Sequence, residues 1–140
     1  MPNESTYAAI TKSLWLNSAI ITKQLDNSLG AIHGIGLTEY MVLLHLVGAP
    51  NKALRRIDLA EALARTASGI TRMLMPMEKI GLIEKEVSVR DARVSLVKLT
   101  AAGEEVFNHA SVTLESRSEA LLKNIDVKKS ATLLSLLEAI

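Results

Sequence analysis

Between Arg55 and Gly103 the chain reads RRIDLAEALARTASGITRMLMPMEKIGLIEKEVSVRDARVSLVKLTAAG, and no other stretch limits the fold as tightly. Its apolar residues recur at helical spacing, pause at a tight turn, resume at helical spacing, then switch to strand alternation. The spacing predicts a helix from about Arg56 to Arg65, with Ile57, Ala60 and either Leu59 or Leu63 facing inward. A second helix starts at Thr66 or Ser68 and runs to Ile80, with Gly81 as a left-handed cap. Ile70, Leu74, Met77 and Ile80 share the side expected to meet the core, while Ser68, Thr71, Arg72 and Met75 point elsewhere. Pro76 removes one backbone hydrogen bond and crowds the Arg72 carbonyl, so a kink is expected there. Residues 82–87 and 94–99 alternate as strands, and the linker SVRDAR sets Arg90 and Arg93 at the tip of the resulting hairpin.

Two helices, a turn and a basic-tipped hairpin make a winged helix-turn-helix, in which one helix enters a major groove and the hairpin reaches the backbone or minor groove beside it. The flanks are helical. Tyr7, Ile10, Leu14, Ile21, Leu25 and Leu29 form an apolar stripe that Trp15, Leu16, Ala19 and Ile20 widen beyond one face. Such a helix is either well buried in its own chain or shared with a second subunit. Gly30, Gly34 and Gly36 predict a loop around His33, after which Thr38 caps a helix ending near Gly48. Thr100 caps a long helix reaching Ile125, and Asp126 caps a last one whose Leu133, Leu134, Leu136, Leu137 and Ile140 exceed a single face. The expected fold is therefore mostly α with a small β-hairpin wing. The helices of residues 1–36 and 101–140 form a dimerisation region around a winged lobe at 37–100, in one structural domain.

Composition supports this division. Apolar residues make up 49% of the chain but aromatics only 3%, so the core is aliphatic. The formal charge is +1, yet residues 51–100 carry ten Lys/Arg against six Asp/Glu, and the remainder six against nine. A basic centre between acidic arms suits a polyanion-binding module on a separate scaffold. The absence of cysteine excludes disulfides and thiolate chemistry. No basic-then-apolar leader pattern is present, and the run MVLLHLV is too short to span a bilayer, so a soluble cytoplasmic protein with no membrane partner is expected.

Several segments together resemble the multiple antibiotic resistance regulator (MarR) family of transcription factors. LTEYMVLLHL looks like the family's second helix, and RRIDLAEALA like the first helix of its helix-turn-helix. TASGITRMLMPMEKIGLIEKE is similar to the recognition helix and its exit into the wing, and DARVSLVKLTAAG matches the Asp-x-Arg wing and the Leu-Thr-x-x-Gly entry to the next helix. The resemblance implies a homodimer that binds a pseudo-palindromic operator on double-stranded DNA, usually as a repressor. It also implies release by a small aromatic or phenolic effector. Pro76 is unusual for such a recognition helix.

Candidate DNA-binding residues are Arg65, Thr66, Ser68, Thr71, Arg72, Arg90 and Arg93. Arg72 can donate twice to guanine, hydroxyls suit phosphates or base edges, and guanidinium groups are drawn to the minor groove. Arg65 and Thr66 lie where helix N-terminal amides favour phosphate. Asp91 is repelled by phosphate, so its expected role is to pair with Arg93 and shape the wing. The family resemblance implies that this pair is largely architectural, with Arg90 the better DNA ligand and Arg93 the better brace. Lys52, Arg55 and Arg56 are either backbone contacts or a solvated face. Trp15, Tyr40 and His45 are candidate effector-pocket linings, though core packing explains them equally. His33, His45 and His109 are too scattered for a metal site, so no metal or cofactor is expected. Neither a catalytic triad nor a phosphate-cradling glycine loop appears, which argues against an enzyme. The alternative function is a winged-helix protein-interaction module that binds no DNA.

Overall fold

The computed structural model describes residues 5–91 and 93–140; residues 1–4 of the N-terminal segment and Ala92 of the wing linker lie outside the described residues. Among the described residues, six α-helices and three short strands follow in the order α1 (Thr6–His33), α2 (Leu37–Val47), β1 (Ala53–Arg55), α3 (Arg56–Ala62), α4 (Ala67–Lys79), β2 (Ile83–Val87), β3 (Ser95–Leu99), α5 (Ala101–Leu121) and α6 (Val127–Glu138). The strands form one antiparallel sheet in the order β1-β3-β2, with Ile83 opposite Leu99 and Val87 opposite Ser95. The fold expected from the sequence, mostly α with a winged helix-turn-helix, is the one observed.

α1 runs past the expected loop. It continues through Gly30 to His33, and Gly34, at φ 72°, caps it by donating its N–H to the Gly30 carbonyl. A helical glycine costs about 1 kcal/mol against alanine, which the burial of Leu25 and Leu29 offsets. His33 then holds the last turn to α5 through a 2.7 Å contact between Nε2 and Thr113 Oγ1. The predicted Thr38 cap is also corrected. α2 starts from Gly36, whose N–H donates to Glu39 Oε2 at 2.7 Å, while the Leu37 N–H donates to Asp26 Oδ1 at 2.7 Å. Two carboxylates reach back to the free amides and so replace the hydroxyl.

β1 has no signature in the sequence, because three residues carry no period. A 3₁₀ turn at Pro50–Lys52, with Asn51 and Lys52 at positive φ, feeds it against β3. Two inward assignments fail. Ile57 is 63% exposed because Leu59 and Ala60 take the inner side of the seven-residue α3, and a residue two positions from Leu59 points away from it. Ile80 is 62% exposed because α4 ends at Lys79 and its cap residue has left the helical stripe. Ile70, Leu74 and Met77 are buried as expected. α4 passes Pro76 without interruption; Arg72 and Pro76 are both exposed, so water can serve the carbonyl that loses its partner.

The core joins Leu25 and Leu29 of α1, Val42, Leu43 and Leu46 of α2, Leu59 of α3, the inner face of α4, and Val97 and Leu99 of β3. α5 locks onto this body at its first turn. Thr100 Oγ1 donates to the Gly81 carbonyl at 2.6 Å and accepts the Gly103 N–H at 3.0 Å. Gly103 lies so close to the entry of β2 that a Cβ there would sit 2.1 Å from the Leu82 carbonyl oxygen. α5 ends at Leu121, short of the expected Ile125, and Asp126 Oδ1 then caps α6 by accepting the Lys129 N–H at 2.8 Å. No described residue of α6 is buried.

Gly103→Ala is expected to lower unfolding free energy by about 3 kcal/mol, since backbone rather than a movable side chain blocks the new methyl. Urea denaturation measures this, and a midpoint equal to that of the parent chain would contradict the close approach of α5 to β2.

Candidate nucleic-acid interface

α4 has two faces. Its inner stripe is fixed by Ile70, Leu74 and Met77, and the helix period then turns Ser68, Thr71, Arg72 and Met75 outward together. The helix starts cleanly because Thr66 Oγ1 accepts the Gly69 N–H at 3.0 Å. Thr66 is thereby a cap, with its hydroxyl 3.4 Å from Ser68 Oγ. Ahead of it, Ala64 at φ 52° makes the tight turn from α3, and Arg65 is exposed at the start of α4.

The wing is braced from within. Asp91 takes three hydrogen bonds from Arg93: the backbone N–H at 3.0 Å, Nε at 3.1 Å and Nη2 at 3.2 Å. These hold the Asp91 carboxyl below its usual range, the guanidinium contributing most. The Arg93 side chain is 90% exposed even so. Arg90 anchors its backbone N–H on Ser88 Oγ at 3.3 Å, and its side chain extends outward.

Charge pairing sorts the cations. Lys52 is held by Glu104, Arg55 by Asp58 through two bonds of 2.9 and 3.1 Å, and Lys98 by Glu86 at 3.6 Å. The Asp58 hydrogen bond and charge also raise the pKa of Arg55. Among the described residues, the side chains of Arg65, Arg72 and Arg90 make no ion pair or hydrogen bond. Arg56 instead donates through Nη1 to Thr71 Oγ1 at 3.2 Å, and Thr71 donates to the Ala67 carbonyl at 3.0 Å. The Arg56–Thr71 contact carries no sequence signal, since it joins two helices across 15 positions without opposite charges.

The three residues proposed as a pocket lining do not come together. Trp15 is 73% exposed on α1, beside a shallow depression with Ser18, Thr22 and Lys23. Tyr40 is buried, stacked on Phe107 at 5.2 Å between ring centroids, and its hydroxyl meets Ser111 Oγ at 2.8 Å. His45 turns back on its own helix, donating Nδ1–H to the Met41 carbonyl at 2.8 Å. The sequence pattern showed amphipathic groups, but helix geometry directs them to different surroundings. Among the described residues no three His, Asp or Glu side chains converge as metal ligands, and no single helix is long and apolar enough to cross a membrane.

Asp91 is expected to titrate below ~3.9, the ordinary aspartate value. Its folded pKa is depressed, so the wing gains stability above the unfolded value and loses it as pH falls through the folded one. Carboxyl NMR should show Arg93→Ala returning Asp91 to the ordinary range; an unchanged midpoint would mean that Arg93 does not brace the wing.

No family model and no curated protein matches the chain. Solved structures do. Sco3205, a MarR family transcriptional regulator from Streptomyces coelicolor crystallised in complex with DNA, is similar with TM-score 0.83 and 22% identity over 99% of this chain and 89% of that one. Sco5413, a MarR family regulator from the same organism, gives TM-score 0.84 and 18% identity over 97% and 93% of the two chains. A mutant MarR from E. coli complexed with operator DNA gives TM-score 0.82 and 22% identity over 97% and 98%. Together with the two-faced α4 and the Arg-bearing wing, these likenesses show that the chain has the winged helix-turn-helix fold of the MarR family transcriptional regulators.

Proposed function

We propose that the protein is a dimeric DNA-binding transcriptional regulator that represses by occupying its operator. The observation that carries this reading is the set of exposed, unpaired guanidinium groups of Arg65 ahead of α4, Arg72 on α4 and Arg90 on the wing, in a region where Lys52, Arg55, Arg93 and Lys98 are each paired with a carboxylate. Cations left in water cost nothing to present and release counterions when they meet phosphates. Arg72 and Ser68 fit base-edge or phosphate contacts from α4, and Arg90 fits the minor groove. Arg65 fits phosphate at the helix start. Arg93 contributes charge while its geometry serves Asp91. Similar solved proteins bound to DNA support the same reading.

Dimerisation is supported by an open groove of about 770 Å³ between α1 and α6. Ile10, Leu14 and Ile21 line one side, and Leu122, Leu133 and Leu137 the other. A monomer rarely leaves contiguous apolar surface of this kind in water, and a second copy carries a matching pair of helices. A twofold axis through these helices would present two α4 helices to one duplex, as half-sites about 34–36 Å apart require. Release by a small aromatic or phenolic effector has no shared lining from Trp15, Tyr40 and His45 to support it.

Arg72→Ala and Arg90→Ala are each expected to weaken operator binding by about five- to 150-fold, from about 1–3 kcal/mol per lost contact. Footprinting on the upstream region of its own gene followed by anisotropy titration measures this; parent affinity in the double variant would remove both residues from the interface. Light scattering should report a dimer for the parent chain and a monomer for Leu133→Asp combined with Leu137→Asp. A variant that stays dimeric would place the twofold contact elsewhere.

A further inference from the structure

Lys52, Arg55 and Arg56 lie within five positions of one another around β1 and the start of α3, yet their surroundings differ. Glu104 neutralises Lys52 and Asp58 neutralises Arg55, so both act as internal braces. Arg56 is exposed and rests on an uncharged hydroxyl, keeping its full positive charge. Glu78, Glu84 and Lys85 line the same small cleft from α4 and β2, but neither carboxylate forms an ion pair with Arg56. The cleft is small, about 50 Å³, and opens to solvent.

The hydroxyl of Thr71 has one proton and two lone pairs. Its proton goes to the Ala67 carbonyl and one lone pair to Arg56. Only acceptor capacity remains, and a DNA phosphate offers only acceptors. Thr71 therefore has nothing to give a phosphate in this arrangement. Arg56 has spent one of its five N–H donors, and the remaining fork matches phosphate oxygens. The Thr71 contact also seats that fork against α4.

We propose that Arg56 binds a DNA backbone phosphate from a position set by Thr71, which is a positioning residue and not itself a phosphate contact. This rests on the DNA-binding reading above. It moves Thr71 from the contact set and puts Arg56 into it.

The test uses the full chain and a labelled random-sequence duplex of about 30 base pairs, long enough for two half-sites, titrated by anisotropy across a salt series. Arg56→Gln is expected to reduce the slope of log Kobs against log salt by about 0.9 per protomer bound. Arg117→Gln, which removes an exposed charge on α5, should leave the slope unchanged. Thr71→Val should weaken binding, Thr71→Ser should restore it, and Thr71→Val should add nothing in the Arg56→Gln background. Should Arg56→Gln melt early, Arg56→Lys takes its place, keeping the slope while losing affinity with the fork. An unchanged slope in Arg56→Gln, with Arg72→Ala and Arg90→Ala still impaired, overturns the assignment of Arg56 and leaves the regulator reading intact. Additive losses from Thr71→Val and Arg56→Gln overturn the positioning role. A parent chain that binds no duplex at any salt overturns both readings together.

Discussion

Burial of Ile70, Leu74 and Met77 beneath α4 is the constraint on which the presented surface depends. Each such side chain contributes about 1.5–3 kcal/mol when fully removed from water, which exceeds what any exposed charge contributes. Rotation of α4 about its axis is therefore decided by oil and not by charge. Once the inner stripe is set, the helix period leaves Ser68, Thr71, Arg72 and Met75 no choice of side. The polar face is orderly because the apolar face is tightly held.

Electrostatics then work by subtraction. Four cations of the winged lobe carry a nearby carboxylate: Glu104 for Lys52, Asp58 for Arg55, Asp91 for Arg93 and Glu86 for Lys98. Exposed pairs of this kind contribute little stability, but they cancel charge locally and order the loops that bear it. The unpaired guanidinium groups that remain in the lobe are Arg56 at the start of α3, Arg65 and Arg72 at and on α4, and Arg90 on the wing. The Arg93–Asp91 fork shows the two roles in one hairpin, since it spends one guanidinium to fix the backbone from which Arg90 projects.

Much of the lobe was legible because its signals are local. Thr66, Thr100 and Asp126 cap helices three residues ahead of the amides they satisfy, and the Asp91–Arg93 brace closes over two positions. The misreadings arose where a distant group intervened. Asp26 reaches across 11 positions to the start of α2 and displaces the expected Thr38 cap. β1 exists because β3 offers it an edge, a fact absent from the residues Ala53–Arg55 themselves. Ile57 and Ile80 show that periodicity assigns a face well in mid-helix and poorly at ends, where the next element takes over the inner side.

By itself the sequence determined the order of the six helices and the two wing strands, the burial of Ile70, Leu74 and Met77, the caps at Thr66, Thr100 and Asp126, and the basic wing, because hydrophobic period and short-range hydrogen bonding act between near neighbours. Tertiary structure alone decided which of three adjacent cations keeps its charge, that Thr71 serves Arg56, and that Trp15, Tyr40 and His45 lie in separate surroundings. Those outcomes depend on which groups from remote positions arrive within about 3–4 Å of one another, a distance that sequence spacing does not encode.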